Sequence, residues 1–341
     1  MDNRRPTLRQ VAQEAGVSTA TVSNVINGTG RLSEQTRARV ISVARELSYQ
    51  PRNSVRALSR GGSGVLGLTM TTYGDRAVPY TEIPYYADLV LAAIGAATDH
   101  GYLLQVMPSS ISPWLWLTAP LDGVIHSEPR GNDPVRAILL ERGIPMVSEG
   151  RPLEPRPLDA WVDCDNGLAV VTLLERFRHA GAKSVGCLLP AHDDSYPQLV
   201  LNAFVEWCAE AGIAARPMKF ELADDYGRSE RAAVKSLLDE PDRPDAIFGI
   251  YSDSGHNILY VARDLSLSVP RDLIVGCLSE DVAYESTDPP VTTVSLQPRA
   301  MGIEAVDLLV ALIGGRNGVE RQRIVPPVLR ARASTKDFAV P

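Results

Sequence analysis

The chain has 341 residues, more than one typical domain needs, which predicts two or three domains. Its 45% hydrophobic and 22% charged residues are ordinary for a soluble globular protein and allow a sizeable core. The sequence has no apolar run of about 18 residues, and polar residues follow Met1. These features argue against a membrane span and a signal peptide, so a cytoplasmic protein is expected.

The charge is unevenly distributed along the chain. The formal net charge is −7, yet the first 62 residues contain ten arginines, no lysine and only four acidic residues, which gives them +6 and leaves −13 for the remainder. A basic head on an acidic body is typical of a protein that places only its head on DNA.

Three short helices are predicted in residues 1–50. Thr7, Ser18 and Ser33 are suitable N-caps, because their hydroxyls can accept from the free backbone N–H groups of a first turn. Gly16 ends the first helix, as a residue that tolerates the left-handed conformation should. Two short helices joined by a glycine-containing turn form a helix-turn-helix unit. A three-helix domain used for protein contacts is the alternative, and the basic charge favours DNA.

The second helix carries the side chains expected to read DNA. Its polar positions are Thr19, Thr21, Ser23 and Asn24, with Ala20 between them. In a helix-turn-helix unit the N-terminal part of this helix faces the base edges of the major groove. Asn24 can bond bidentately to adenine, and Ala20 and the threonine methyls can contact a thymine methyl.

Residues 7–28 read TLRQVAQEAGVSTATVSNVING, residues 33–37 read SEQTR and residues 47–51 read LSYQP. Through these three segments the head resembles the lactose-repressor (LacI/GalR) family. The resemblance implies a hinge helix in residues 51–63 that orders on the operator and inserts a leucine, here Leu58, into the minor groove, where apolar wedges kink the duplex. The alternative makes Leu58 a minor core residue of a linker. The expected DNA contacts are Thr7, Ser18, Thr19, Ala20, Thr21, Ser23, Asn24, Asn27, Arg31, Asn53, Val55, Arg56, Leu58 and Ser59.

From Val65 onward, strands and helices alternate. We predict strands at 65–70, 103–107, 122–126, 145–149, 184–189, 214–220, 246–250 and 273–278. We predict helices at 85–100, 134–142, 168–180, 197–211, 228–238 and 257–265. This alternation indicates two doubly wound parallel sheets, an α/β body of two subdomains with a ligand cleft between them. The apolar run 113–116 is expected to be a subunit interface or a loop plug.

The body also resembles the family, whose effector domain has a periplasmic-binding-protein-like fold of type I. The matching segments are 83–86, 121–125, 162–166, 244–248, 288–294, 301–302 and 332–335. The resemblance implies that the body, 64–341, crosses between subdomains three times, near 161, 292 and 325. One subdomain is then about 64–161 with 293–325, and the other about 162–292 with 326–341.

Several polar anchors of sugar-sensing members are replaced in this chain. Val200 stands where the resemblance places an arginine, Leu278 where it places an aspartate, and of an Asn-Asp pair only Asp253 remains. Because buried sugar hydroxyls need partners, these changes favour an effector less polar than a sugar, or none. A register shift of one or two residues is the alternative. The expected cleft residues are Tyr73, Tyr85, Tyr86, Ser127, Glu149, Trp161, Asp163, Tyr196, Val200, Asp253, Leu278 and Gln297.

No catalytic or cofactor motif is found. A glycine-rich dinucleotide turn, a P-loop, a nucleophile elbow and a zinc-protease motif are all missing from the sequence. The five histidines lack ligand spacing, and the four cysteines have no Cys-x-x-Cys pair, so reduced, structural thiols are expected. We therefore expect neither an enzyme nor a cofactor nor a metal.

The sequence thus predicts a cytoplasmic, nucleoid-associated transcription regulator, a repressor that binds a pseudo-palindromic operator as a homodimer under the control of a small-molecule effector. A dimer is favoured over a tetramer because the tail after Arg332 lacks a leucine repeat. Two alternatives stay open: a DNA-binding regulator without an effector, and a solute-binding protein with the same body fold.

Overall fold

The computed structural model describes residues 7–26, 32–47, 62–70, 83–108, 111–128, 133–191, 195–221, 227–316 and 318–335. The chain divides into two compact units, a head of Met1–Gly64 and a body of Val65–Pro341.

The head contains three helices, α1 (Leu8–Glu14), α2 (Thr19–Ile26) and α3 (Glu34–Glu46). The Thr7 side chain accepts from the Gln10 backbone N–H, and the Gln10 side chain accepts from the Thr7 backbone N–H, which completes a capping box. Gly16 has φ +63° in the turn that follows α1, a conformation that costs glycine little. Valines and alanines at helical spacing form the small core, which includes Val11, Ala12, Ala15, Val22, Val25 and Val40.

The body begins with a six-stranded sheet. Its strands are β1 (Val65–Met70), β2 (Leu103–Pro108), β3 (Gly123–Ser127), β4 (Met146–Glu149), β5 (Trp161–Cys164) and β11 (Gln322–Val325). The order across the sheet is β11-β5-β4-β3-β1-β2, and every neighbouring pair is parallel. The helices of this subdomain are α4 (Pro84–Asp99), α5 (Pro113–Thr118), α6 (Pro134–Glu141) and α11 (Pro298–Ile313).

A second six-stranded sheet follows. Its strands are β6 (Ser184–Pro190), β7 (Ala214–Phe220), β8 (Ala246–Gly249), β9 (Ile274–Leu278), β10 (Thr292–Ser295) and β12 (Val328–Arg330). The order is β12-β10-β9-β8-β6-β7, with β12 antiparallel to β10 and the other pairs parallel. The helices are α7 (Asn166–His179), α8 (Ser195–Ala211), α9 (Arg228–Leu238) and α10 (Ser254–Asp264), with a 3-10 turn at Val282–Glu285.

The chain crosses between the two sheets three times, after β5, after β10 and after β11. The first two crossings therefore lie one strand later than the expected boundaries at 161 and 292. The reason is that β5 completes the first sheet and β10 completes the second before the chain leaves each of them. The third crossing follows Val325, the last residue of β11.

The predicted fold class is confirmed: a helical head is followed by two parallel-sheet α/β subdomains. Strands buried on both faces explain the near-continuous apolar runs of the body; β3, for example, is buried at all five positions. The run at 113–116 is neither a plug nor a loop but part of α5, in which Trp116 is fully buried and Trp114 is 68% exposed. The carboxyl ends of the parallel strands are where ligands bind in such sheets.

Candidate functional site

The outer face of α2 is the part of the head suited to contact DNA. Val22 and Val25 are buried against the other two helices, whereas Thr19 and Ala20 are exposed. Ser23 and Asn24 are partly exposed. At about 100° per residue, positions 20, 23 and 24 fall on the face opposite the two valines, and Thr19 lies beside that face, so this short helix presents a small polar surface to a groove.

Thr7 and Ser18, both expected DNA contacts, act as helix caps. The Ser18 hydroxyl accepts from the Thr21 backbone N–H at 3.0 Å and lies 2.9 Å from the Thr21 hydroxyl. The backbone N–H and the hydroxyl of Thr21 are therefore both engaged in capping the start of α2. Seven further expected contacts lie outside the described residues: Asn27, Arg31, Asn53, Val55, Arg56, Leu58 and Ser59.

The body contains a cavity at the carboxyl ends of strands from both sheets, with about 690 Å³ of empty space including its open mouth. Residues of both subdomains line it. They are Ile83, Tyr85, Tyr86, Glu128, Glu149, Gly150, Arg151, Asp163, Cys164, Asn166, Ser195, Tyr196, Leu199, Ile250, Tyr251, Ser252, Leu278, Ser279, Glu280, Leu296 and Met301.

Glu149, the last residue of β4, is held rigidly in the cavity wall. The Tyr85 hydroxyl donates to Oε1 at 2.6 Å, and the Ser127 hydroxyl donates to Oε2 at 2.6 Å. Ser127 is itself fixed, because its backbone N–H donates to the Thr69 hydroxyl at 2.9 Å. Burial raises the pKa of Glu149, and the two hydroxyl donors offset part of that rise.

Two more buried carboxyls reach the cavity, one from each subdomain. Asp163 on β5 accepts from the Asn166 amide at 3.0 Å, and burial raises its pKa to about 7. Glu280, two residues after β9, accepts from the Leu296 backbone N–H at 2.6 Å and from the Ser295 hydroxyl at 2.8 Å. Burial raises the pKa of Glu280 as well, so all three carboxyls are harder to ionise than they are in water.

Four tyrosines complete the wall. The rings of Tyr85 and Tyr86 meet edge to face with centroids 5.5 Å apart, and those of Tyr196 and Tyr251 meet in the same way at 6.2 Å. The Tyr196 hydroxyl donates to the Ile250 carbonyl at 3.0 Å. These contacts fix the rings and leave aromatic surface for a ligand to contact.

The structure brings six of the expected cleft residues into the cavity wall: Tyr85, Tyr86, Glu149, Asp163, Tyr196 and Leu278. Ser127 lies behind the wall and supports Glu149. Tyr73 lies outside the described residues. That these side chains bind an effector stays a prediction.

The other four expected cleft residues do not line the cavity. Trp161 is the first residue of β5. It lies about 7 Å along the strand from Asp163, which lines the cavity, and its side chain is buried in the sheet. Val200 is fully buried on the sheet side of α8, and Leu199 lines the cavity instead. Asp253 is exposed at the start of α10. Gln297 is the N-cap residue immediately before α11, and its side-chain amide donates to the Ser295 hydroxyl at 2.5 Å.

Sequence reasoning missed several lining residues that follow strand ends. Glu128 comes after β3, Arg151 after β4, Tyr251 after β8 and Glu280 after β9. The signal was available, since ligands bind beyond the carboxyl ends of parallel strands. Carboxyls from both subdomains line this site.

Within the described ranges, no cluster of three or more histidine, cysteine or acidic side chains is placed to hold a metal ion. The same part of the chain contains no helix with both the length and the apolar character needed to cross a bilayer.

Two family models match the chain. Residues 7–52 match the model described as bacterial regulatory proteins, lacI family, and residues 174–335 match a periplasmic binding protein-like domain. The first match covers the head helices, and the second covers most of the second subdomain together with α11.

Full-length relatives and solved structures agree with these models. The HTH-type transcriptional regulator CelR of Thermobifida fusca is 30% identical over 338 residues, covering 97% of this chain and 98% of the relative. A structure of a CelR–cellobiose complex superposes with a TM-score of 0.71 at 28% identity, covering 97% of this chain and all of the other. A lac repressor dimer bound to operator and an anti-inducer superposes with a TM-score of 0.79 at 20% identity, covering 97% and 99% of the two chains, and shows the shared fold.

Proposed function

This chain belongs to the LacI family of bacterial transcriptional regulators, and on that basis we propose that it is a repressor that binds a pseudo-palindromic operator as a homodimer. A small molecule in the body cavity controls its affinity for DNA. The observation that carries the proposal is the combination, in one chain, of a helix-turn-helix head with an exposed polar face and a body with a cavity lined by residues of both subdomains.

The head reads the operator through α2. Thr19, Ala20, Ser23 and Asn24 lie on its outer face, and short side chains allow the helix axis to approach the bases closely. Asn24 is the residue best suited to bond bidentately to adenine. The arginines of the head, such as Arg9, Arg39 and Arg45, are exposed and supply the phosphate contacts that make affinity depend on salt.

The body supplies the dimer contact. Large apolar side chains are exposed on the helices that precede and follow the edge strand β2 along the chain: Leu91 and Ile94 on α4, and Trp114, Leu115 and Leu117 on α5. Large apolar side chains exposed in this number on neighbouring segments of the chain mark an interaction surface. A two-fold pair presents two heads, so the operator has two half-sites about one helical turn, or a multiple of one, apart.

Effector control follows from the position of the cavity. A ligand that contacts residues of both subdomains stabilises one relative arrangement of the two sheets over another, which is a coupling typically worth about 1–3 kcal/mol. The hinge helix expected within residues 51–63 is the element through which this arrangement would change operator affinity. The cavity favours an effector-controlled regulator over one without an effector, while its carboxyls do not support an effector less polar than a sugar. No catalytic step is part of this function.

Selection of operators from a random double-stranded DNA library by the full-length chain tests this proposal. The expected result is enrichment of an inverted repeat, with an affinity for the enriched sequence about 10³-fold or more above that for random DNA. Enrichment of a single unrepeated site would contradict the dimer, and no enrichment would contradict sequence-specific binding.

A further inference from the structure

The cavity described above is strongly asymmetric in charge. Its wall includes the carboxyls of Glu128, Glu149, Asp163 and Glu280. Among the described lining residues, Arg151 is the sole cationic side chain. Ionised carboxyls are costly to bury unless they are paired or hydrogen-bonded, so a wall with this composition needs a compensating positive charge when its acids are ionised.

The present partners of these carboxyls are mainly neutral. Glu149 accepts from two hydroxyls, Asp163 accepts from a side-chain amide, and Glu280 accepts from a hydroxyl and a backbone N–H. Two cations also act on these acids: Arg330 Nη2 lies 3.6 Å from Glu280 Oε2, and the positive charge of Arg151 offsets part of the effect of burial on the pKa of Asp163. Neutral donors orient a carboxylate without cancelling its charge, and the four carboxyls outnumber these two cations, so the field in the cavity is negative at a pH where the acids are ionised.

The acids converge from both subdomains. Glu149 and Asp163 belong to β4 and β5 of the first sheet, and Glu280 follows β9 of the second. Cys164 lines the same cavity, and all three acids act with burial to raise the pKa of its thiol. A cation bound at this place is therefore attracted by both halves of the body at once.

Four tyrosine rings add a second feature that suits a cation. Tyr85, Tyr86, Tyr196 and Tyr251 line the same space as the acids, and the faces of aromatic rings attract ammonium groups within about 6 Å of their centroids. A neutral sugar could donate its hydroxyls to these carboxylates, but it would leave their charges uncompensated.

We propose that the effector of this protein is a small organic cation that carries at least one protonated amino group, and that its ammonium is held between Glu149 and Asp163 of one subdomain and Glu280 of the other. This inference rests on the proposed function, since it assigns a chemical class to the effector of that site. Bridging acids of both sheets, the cation favours the closed arrangement of the cleft over the open one.

Thermal unfolding of the full chain with matched compounds tests the proposal. Cyclohexylamine is compared with cyclohexanol, and putrescine with butanediol, at equal ionic strength and at about pH 8, where both amines are protonated. The expected result is that at least one amine raises Tm by about 5 °C near saturation, while its neutral counterpart leaves Tm unchanged. Stabilisation by the neutral compounds alone, or by no amine at millimolar concentration, overturns the cationic assignment.

Two variants locate the binding. Glu280→Gln and Asp163→Asn remove one charge from each subdomain, and each should abolish most of the shift. Glu206→Gln, at an exposed position of α8, is the matched control and should keep the shift. If an amine stabilises both cavity variants as much as the parent chain, it binds elsewhere and the proposal fails. Operator selection is independent of these outcomes, so failure of the cation assignment and failure of the DNA-binding proposal are distinguishable.

Discussion

The hydroxyl of Tyr85 donates a 2.6 Å hydrogen bond to Oε1 of Glu149, and this bond joins α4 to the carboxyl end of β4 at the wall of the cavity. The Ser127 hydroxyl bonds the other carboxyl oxygen at 2.6 Å, so Glu149 is fixed from two elements. A ligand therefore meets a carboxyl whose position is set before binding, which reduces the entropy lost on association.

Tyr85→Phe removes one of these donors and keeps the ring. Because a hydrogen bond to a charged group contributes about 1.5–3 kcal/mol, we expect the variant to lower the free energy of unfolding of the body by about that amount at pH values where Glu149 is ionised. Denaturant unfolding followed by circular dichroism measures the change. Tyr260→Phe is the control, since Tyr260 is 65% exposed; equal losses in the two variants would show that the Tyr85 hydroxyl has no special role.

The stability of the body should fall as pH rises from about 4 to 7. Burial raises the pKa of Asp163 to about 7 from its ordinary value near 4, so in this window the folded chain binds a proton that the unfolded chain releases. From this group alone, the free energy of unfolding then decreases by up to about 1.4 kcal/mol per pH unit. Glu149 and Glu280, whose pKa values are also raised, act in the same direction.

Asp163→Asn isolates the contribution of Asp163. The variant should unfold with a flatter pH dependence and be at least as stable as the parent chain at about pH 8, because the cost of ionising a buried acid is removed. Measuring Tm from about pH 4 to pH 8 gives the slope of Tm against pH for the parent chain and for the variant. Identical slopes would mean that Asp163 ionises in the fold as readily as it does in water.

Gly302 permits the close approach of α11 to α4. A Cβ at this position would stand 2.5 Å from the Leu89 carbonyl oxygen and 3.2 Å from the Ala93 nitrogen, both of them backbone atoms of α4. Gly302→Ala should therefore push the helices apart and destabilise the body by about 1–3 kcal/mol. Gly95→Ala, on α4 with no atom within 4 Å of the added Cβ, should instead stabilise the body slightly; a loss of the same size in both variants would contradict the packing argument.

Asn24→Ala tests how α2 reads DNA. If Asn24 bonds to one adenine in each half-site, the variant should lose about 1–3 kcal/mol of discrimination at that base pair and keep its preference elsewhere. Parallel operator selections with the parent chain, Asn24→Ala and the exposed control Gln13→Ala measure this directly. An unchanged consensus from Asn24→Ala would remove this side chain from the reading surface.

The fold was predictable because its signals are local and repeated. The caps at Thr7, Ser18 and Ser33 lie at the starts of the three head helices, and buried apolar runs such as 65–70 coincide with strands. Helix starts were less accurate: α7 begins at Asn166 rather than 168, since Asp165 caps it by accepting from the Leu168 N–H. The short strands β5, β10, β11 and β12 were not predicted, because their positions depend on pairing with distant strands, and the helices α5 and α11 were not predicted either.

The site was predictable in part. Tyr85, Glu149 and Asp163 could be placed in the cavity because each lies at a helix start or near a strand end. Leu199 was missed in favour of Val200 because the side of a helix that faces a cleft depends on its rotation about its own axis. Glu280 was missed although it follows a strand end, because the contacts with Ser295 and Leu296 that bury its carboxyl come from residues at a distance along the chain.

The most direct test of effector control is the operator affinity of the full-length chain, measured with and without each compound that stabilises the body. The account predicts that a stabilising amine changes the dissociation constant for the selected operator by about 5- to 150-fold, and that its neutral counterpart leaves it unchanged. The same affinity with and without every stabilising compound would contradict the account, because ligand binding in the body would then have no effect on DNA binding by the head.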